Sequence, residues 1–250
     1  MGANRPGRAD RSGAQGDAVT GLFSQISAIV STPAAPHQES PSLVRTRRII
    51  VAIVLVLGAT LLGFSLTRTP GSTSFYVLTV ALAAVWAIGA RLSGPLHIGN
   101  IEFRGRIRRP IITGIATGVL LGGVFIVGGL VAREIGPVRD YIVQVLDYAN
   151  YGALWLVTLI TVVNGLAEEM FFRGALFTAL GKFRPVLVST IVYALAVSAA
   201  GNPMLGFAGL ILGGVCAYER RITGGVLASM LTHFFWGLVM VLALPPIFGV

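Results

Sequence analysis

Two adjacent carboxylates, Glu168 and Glu169, stand inside an apolar stretch of this 250-residue chain, and Arg173 follows four residues after the second. The run reads Asn164-Gly-Leu-Ala-Glu168-Glu169-Met-Phe-Phe-Arg173-Gly174. On a helix, residues i and i+4 share a face, whereas neighbours point roughly 100° apart. Glu169 and Arg173 are therefore expected to pair, in the favoured acid-first order. Glu168 faces elsewhere, one turn after Asn164. The spacing thus predicts one carboxylate neutralised locally and one left for proton transfer or for another partner. If the apolar flanks cross a membrane, this cluster is costly: an ionised group near the bilayer centre costs ~2.5–3.5 kcal/mol on insertion scales. From spacing alone, a structural polar knot that ties helices together stands as an equal alternative, because ion-pair networks also resemble sites.

The chain has three histidines. His37 lies in a polar tail and His97 in a basic loop, where solvated roles are the ordinary reading. His233 sits midway along the apolar run Ile222 to Leu244. A single histidine on an apolar helix is ordinarily a hydrogen-bonded core residue, but an intramembrane carboxylate without a local partner changes that balance. Glu168 and His233 are each other's expected distant partners. The lone Cys216 lies in an apolar run and reads as a small buried residue, so no disulfide framework is expected.

These residues must be held by membrane helices. Hydrophobic residues make up 54% of the chain and charged ones only 12%, about half the fraction usual for a soluble domain. Apolar runs lie at Ile49–Leu66, Phe75–Ala90, Ile111–Val131, Gly152–Ala167, Val186–Ala200, Met204–Ala217 and Ile222–Leu244. Lengths near 20 residues match a hydrocarbon core of ~30 Å. No ten-residue alternation of the kind that builds a spanning barrel is present. The expected fold is therefore all-α: a polytopic transmembrane bundle of about seven spans. One helix is expected from about Gly152 to Leu180, ended by Gly181. Of the 19 Lys and Arg, 16 fall on the tail and alternate loops and only Arg68, Arg133 and Arg139 on the others. The positive-inside rule then places the N-terminus in the cytoplasm and the C-terminus outside. The net charge of +9 is accounted for by topology and anionic lipid, with no nucleic acid as partner.

Residues 1–44 read as a disordered basic cytoplasmic tail and 45–250 as the transmembrane domain. Within the tail, Val19, Leu22, Phe23, Ile26, Ile29 and Val30 share one helical face, the pattern of a short interfacial helix. Eight of the ten carboxylates, Glu219, Asp140 and Asp147 among them, are expected in tail or loops. Arg91 to Pro110 reads as a basic loop lying along headgroups. Gly114, Gly118 and Gly122, and likewise Gly209 and Gly213, recur every four residues, which predicts close helix packing.

At this point the chain resembles the CAAX-protease and bacteriocin-processing family of intramembrane endopeptidases. The first motif of that family is two glutamates, three residues, then arginine and often glycine, matched by Glu168-Glu169-Met-Phe-Phe-Arg173-Gly174. Its last motif, a histidine followed four residues later by Asn or Asp, is met by His233-Phe-Phe-Trp-Gly237. A middle motif, an aromatic followed by His at helical spacing, corresponds to Tyr193-Ala-Leu-Ala-Val197-Ser198. The likeness covers about 152–244. It implies a membrane-embedded peptide-cleaving site opening to the cytoplasm, with Glu168 activating water, Glu169 and Arg173 supporting it, and His233 as the retained histidine. The chain departs from the pattern in two places: Val197 or Ser198 stands where the middle histidine belongs, and Gly237 replaces the Asn or Asp.

Three functions follow as expectations. The first is a membrane-embedded endopeptidase resembling prenyl-CAAX-type proteases, acting on peptide segments near the cytoplasmic face, with backbone N–H groups or Asn164 at the oxyanion. The second is a catalytically inactive relative that serves as a membrane binding, immunity or scaffold protein. The third is a proton-linked transporter using Glu168 and His233 as a relay. Glu168 and His233 are two of the three protein ligands that a catalytic zinc needs; no stable metal site is expected, although the family allows a divalent ion. The preference for Arg over Lys suggests a bacterial source, and with it the plasma membrane. Partners are the lipid bilayer and a peptide or membrane protein.

Overall fold

The computed structural model of the chain describes residues 24, 27, 31–34, 39–151 and 153–250. The tail, including most of the 19–30 segment, lies outside the described residues. Helix α1 (Pro41–Ser65) already begins at Pro41, with the Ser40 hydroxyl capping Leu43 N–H at 3.4 Å. It is followed by α2 (Thr73–Leu92), strands β1 (Ile101–Phe103) and β2 (Arg106–Arg108), α3 (Ile111–Ala132) and α4 (Gly136–Asn150). The motif helix runs as α5 (Leu154–Glu169), a π-helical stretch Met170–Leu176 and α6 (Phe177–Leu180). Helices α7 (Pro185–Ser198), α8 (Pro203–Thr223) and α9 (Leu227–Phe248) complete the chain.

The described chain is an all-α bundle apart from one antiparallel hairpin, β1–β2, which folds the expected basic loop into paired strands. Five helical segments are long and apolar enough to cross a membrane: Pro41–Ser65, Thr73–Leu92, Ile111–Ala132, Leu154–Leu180 and Leu227–Phe248. The chain is a multi-pass membrane protein. Many large apolar side chains on these helices, such as Val56, Val80, Leu120 and Trp155, point outward. In a bilayer that outward face meets lipid, and no hydrophobic gain remains to drive helix against helix.

Packing is therefore close and short-ranged. A Cβ at Gly114 or Gly118 would stand 2.6 Å from the carbonyl oxygens of Ala228 or Thr232, so α3 lies directly on the backbone of α9. Gly209 and Gly213 admit Val197 and Tyr193 of α7 against α8 in the same way. Aromatic rings fill the centre. Trp86 lies 4.6 Å from Phe171 and 5.1 Å from Phe172, and Phe172 lies 4.8 Å from Tyr193. Phe171 and Phe172 belong to the glutamate motif, so this cluster fixes the rotation of the helix that carries it. Each such pair adds ~0.5–1.5 kcal/mol beyond the area it buries.

Two segments differ from the sequence expectation. Asp140 and Asp147 lie in an amphipathic helix, α4, rather than a loop. Glu219 lies inside α8, 4% exposed, where Thr232 Oγ1 donates to Oε1 at 2.9 Å. It was expected in a loop because Arg220 and Arg221 follow it. Both arginines are helical too, and Gly224 in the left-handed region, at φ 69°, ends the helix.

Contacts define two ends of the bundle. At one, Arg47 Nη1 donates to Ser93 Oγ at 3.2 Å, Arg48 Nε to Ala179 O at 3.0 Å, and Val226 N to His97 O at 2.9 Å. This end collects the arginine-rich segments. At the other, the Tyr148 hydroxyl donates to Leu66 O at 2.6 Å, and Asn202 Nδ2 to Tyr141 O at 2.8 Å.

Candidate functional site

Glu169 is fully buried and holds two partners through one oxygen. Arg173 Nη1 and His233 Nδ1 each lie 3.0 Å from Glu169 Oε1. Arg173 is buried as well; its Nη2 donates to Gly213 O at 3.1 Å, and its guanidinium stands 4.5 Å over the Tyr193 ring. The i,i+4 ion pair thus survives at the mouth of the π-helical stretch, a local widening that recurs at functional sites.

The distant partner of His233 is Glu169, not Glu168. The spacing argument assigned Arg173 to Glu169 and supposed it satisfied. A carboxylate has acceptor room for more than one donor, and α9 approaches α5 on the side where Glu169 points inward. A carboxylate accepts, so in the tautomer whose Nδ1 carries the proton toward Glu169 the His233 Nε2 is left as an acceptor. The ring sits flat on the motif helix at Gly165, where a Cβ would come within 3.0 Å of Nε2.

Glu168 takes a different partner. The Tyr193 hydroxyl donates to Glu168 Oε2 at 2.7 Å. Among the described residues no Lys or Arg is paired with Glu168, because Arg173 is turned to Glu169 and Gly213. Tyr193 was visible in the sequence only as the aromatic of the middle motif; its hydroxyl was the signal for this second role.

Glu168, His233, Asn164, Val197 and Gly237 line one cavity of about 350 Å³. Asn164 spends one amide hydrogen on Ile160 O at 3.0 Å. Ser198 does not line the cavity: its hydroxyl donates to Ala194 O at 2.7 Å, so Val197 is the residue at the middle-motif position that faces the site. At Gly237 a Cβ would meet only Thr161 Cγ2, at 3.7 Å, so the cavity has room for a side chain there.

The cavity runs from Glu168 toward the end marked by Tyr148 and Asn202, along Asn164, Thr161 and Val157 of α5. This is the end away from the arginine-rich segments. Helix α4 borders it through Gln144, Val145, Leu146 and Tyr148. Burial pushes the Tyr148 phenol above its ordinary pKa, so it remains a donor to Leu66 across the neutral range.

Among the described residues, no group of three His, Cys, Asp or Glu could hold a metal ion. His233 Nδ1 and Glu168 Oε2 are committed to protein partners. The donor set does not fit a catalytic zinc centre, which uses three protein ligands.

A family model described as type II CAAX prenyl endopeptidase Rce1-like matches residues 150–239. Over this stretch the chain is similar to that family of prenyl endopeptidases. The matched segment carries Glu168, Glu169, Arg173, Tyr193, His233 and Gly237 together. No curated protein and no solved structure matches the chain. The similarity falls within a chain whose apolar helices are long enough to cross a membrane.

Proposed function

We propose that this protein is an intramembrane endopeptidase in which Glu168 activates water. The observation that carries the reading is a carboxylate facing a cavity, oriented by the Tyr193 hydroxyl and left unpaired by the neighbouring arginine. In this reading Glu168 takes a proton from a water molecule, and the hydroxide attacks the carbonyl carbon of the peptide. His233 Nε2 holds the same water from the other side. The tetrahedral intermediate then collapses, the C–N bond breaks, and the proton on Glu168 passes to the departing amine. Glu169 and Arg173 fix His233 and do not touch the substrate. Backbone N–H groups and the second amide hydrogen of Asn164 serve the oxyanion. The chain crosses the membrane seven times in this reading, with α7 and α8 joining the five more apolar spans, and its arginine-rich end lies in the cytoplasm of a bacterial cell.

A general base contributes typically ~10²–10⁴ in rate. The test is purified protein in liposomes with a library of fluorogenic apolar peptides, wild type against Glu168→Gln. A loss in that range with unchanged folded yield is expected. Equal cleavage by both proteins would end the catalytic reading.

One observation favours a second reading. The cavity wall carries Val197 and Gly237 where the family places a histidine and an amide or acid, and each lost donor weakens catalysis. A relative that binds a membrane peptide without cutting it keeps the same cavity. It would retain the peptides from the library intact.

A further inference from the structure

The catalytic cavity and the arginines lie at opposite ends of the bundle, and that pairing has a consequence for what reaches the site. The arginine-rich end is knitted by Arg47 to Ser93, Arg48 to Ala179, Ala34 N to Arg221 O at 2.9 Å and Val226 to His97. These contacts gather the chain before α1, the β1–β2 hairpin segment, the turn after α6 and the turn after α8. Those segments and the helix ends beside them carry 12 of the 16 cationic side chains among the described residues. The opposite end gathers the turns after α1, α3 and α7, with only Arg68, Arg133 and Arg139.

No residue of the β1–β2 hairpin, of the turn after α6 or of the turn after α8 lines the catalytic cavity among the described residues. Its wall instead follows Glu168, Thr161 and Val157 outward to Ser65 and Leu66 at the end of α1 and to Asn202 at the start of α8. Gln144 on α4 lines the cavity and is itself exposed, which marks the mouth. Beyond Glu168, toward the arginine-rich end, the path is closed by the packed rings of Trp86, Phe171 and Phe172.

Short loops rich in Lys and Arg stay in the cytoplasm. We infer that the site is entered from the non-cytoplasmic face, and that its substrate is an apolar polypeptide segment presented at the outer half of the bilayer. This reverses the cytoplasmic access expected from the family resemblance. The cavity wall fits such a segment: mostly apolar side chains, with Thr79, Gln144, Thr161 and Asn164 placed to meet an extended backbone. The peptide part of the inference rests on the endopeptidase reading; the sidedness does not.

Sidedness is tested by thiol labelling, which needs no activity. Cys216 is the single cysteine and is fully buried, so a Cys216→Ala background leaves introduced thiols alone. Thr161→Cys probes the cavity, Gln144→Cys its rim, and Arg106→Cys the hairpin at the arginine-rich end. Each is exposed to a membrane-impermeant maleimide in right-side-out and in inverted vesicles. The expected result is labelling of Thr161→Cys and Gln144→Cys in right-side-out vesicles only, and of Arg106→Cys in inverted vesicles only. Labelling of the cavity and the hairpin from the same face, labelling of the cavity in inverted vesicles only, or a cavity position labelled from neither face would overturn it. Because Gln144 is already exposed, its variant reports even if Thr161→Cys fails to fold. A peptide library left uncut while the labelling pattern holds would remove the endopeptidase reading and keep the access route.

Discussion

The Tyr193 hydroxyl of α7 donates to Glu168 Oε2 of α5 at 2.7 Å, in a chain that has Val197 where the family it resembles has a second histidine. The middle-motif aromatic thus holds the carboxylate through its hydroxyl. Tyr193→Phe keeps the ring stack on Phe172 and removes only the donor. A hydrogen bond to a charged group contributes ~1.5–3 kcal/mol, so kcat is expected to fall by roughly 10- to 100-fold, with KM and thermal stability little changed. An unaltered kcat would show that the bond does not orient the base.

Among the described residues Arg173 is the one Arg or Lys paired with Glu169, and both side chains are fully buried. Arg173→Ala leaves the Glu169 carboxylate inside the bundle with only His233 beside it. Breaking such a pair costs ~3–5 kcal/mol, a large share of the ~5–15 kcal/mol that stabilises an ordinary domain. The expected outcome is a sharp loss of folded protein in detergent, measured by size-exclusion recovery and thermal unfolding. The double variant Glu169→Gln, Arg173→Met removes both charges and is expected to recover part of that loss.

Gly165 is the seat of His233. A methyl group there would stand 2.9 Å from Cδ2 and 3.0 Å from Nε2 of the ring. Gly165→Ala is expected to push the imidazole off Glu169, with a cost of ~1–3 kcal/mol from overpacking. The check is a double-mutant cycle. In a His233→Ala background the same substitution should cost little, and full additivity would show that the two residues do not press on each other.

The open space at Gly237 invites a gain of function. Gly237→Asn places an amide in the cavity with one ordinary contact, to Thr161. An oxyanion donor is worth ~10²–10³ in kcat when it reaches the developing charge. A rise in cleavage rate toward that range, read on the same peptide library, is expected; no change would show that the amide misses the scissile carbonyl.

Hydropathy runs located the long helices because each must cover the bilayer with apolar side chains, and the charge census needs no structure. The Glu169–Arg173 pair was legible because both residues sit on one helix, where spacing fixes angle. The partner of His233 was not, since a sequence gives the direction of a side chain on its own helix but not which helix comes to meet it. Helix α4 escaped the same scan for another reason: it is amphipathic rather than apolar. Its signal was present in Val138, Tyr141, Ile142, Val145 and Leu146, spaced for one helical face. Glu219 was misplaced because adjacent arginines look like a loop, and only the turn of α8 shows that it points inward to Thr232.

The wide helical turn at Met170–Leu176 shifts backbone hydrogen bonding there, and the carbonyl of Arg173 is met from outside by Arg220 Nε at 2.8 Å. One turn further on, Ala179 O is met by Arg48 of α1. The helix that carries the glutamates is thus braced from two directions by residues remote in the chain, one of them upstream of the stretch that matches the family. The signature region is consequently not portable. Excised as residues 150–239 or grafted onto another scaffold, it would lack the Arg48 brace and α1 with it, so loss of α1 should be as damaging as a lesion within the motif.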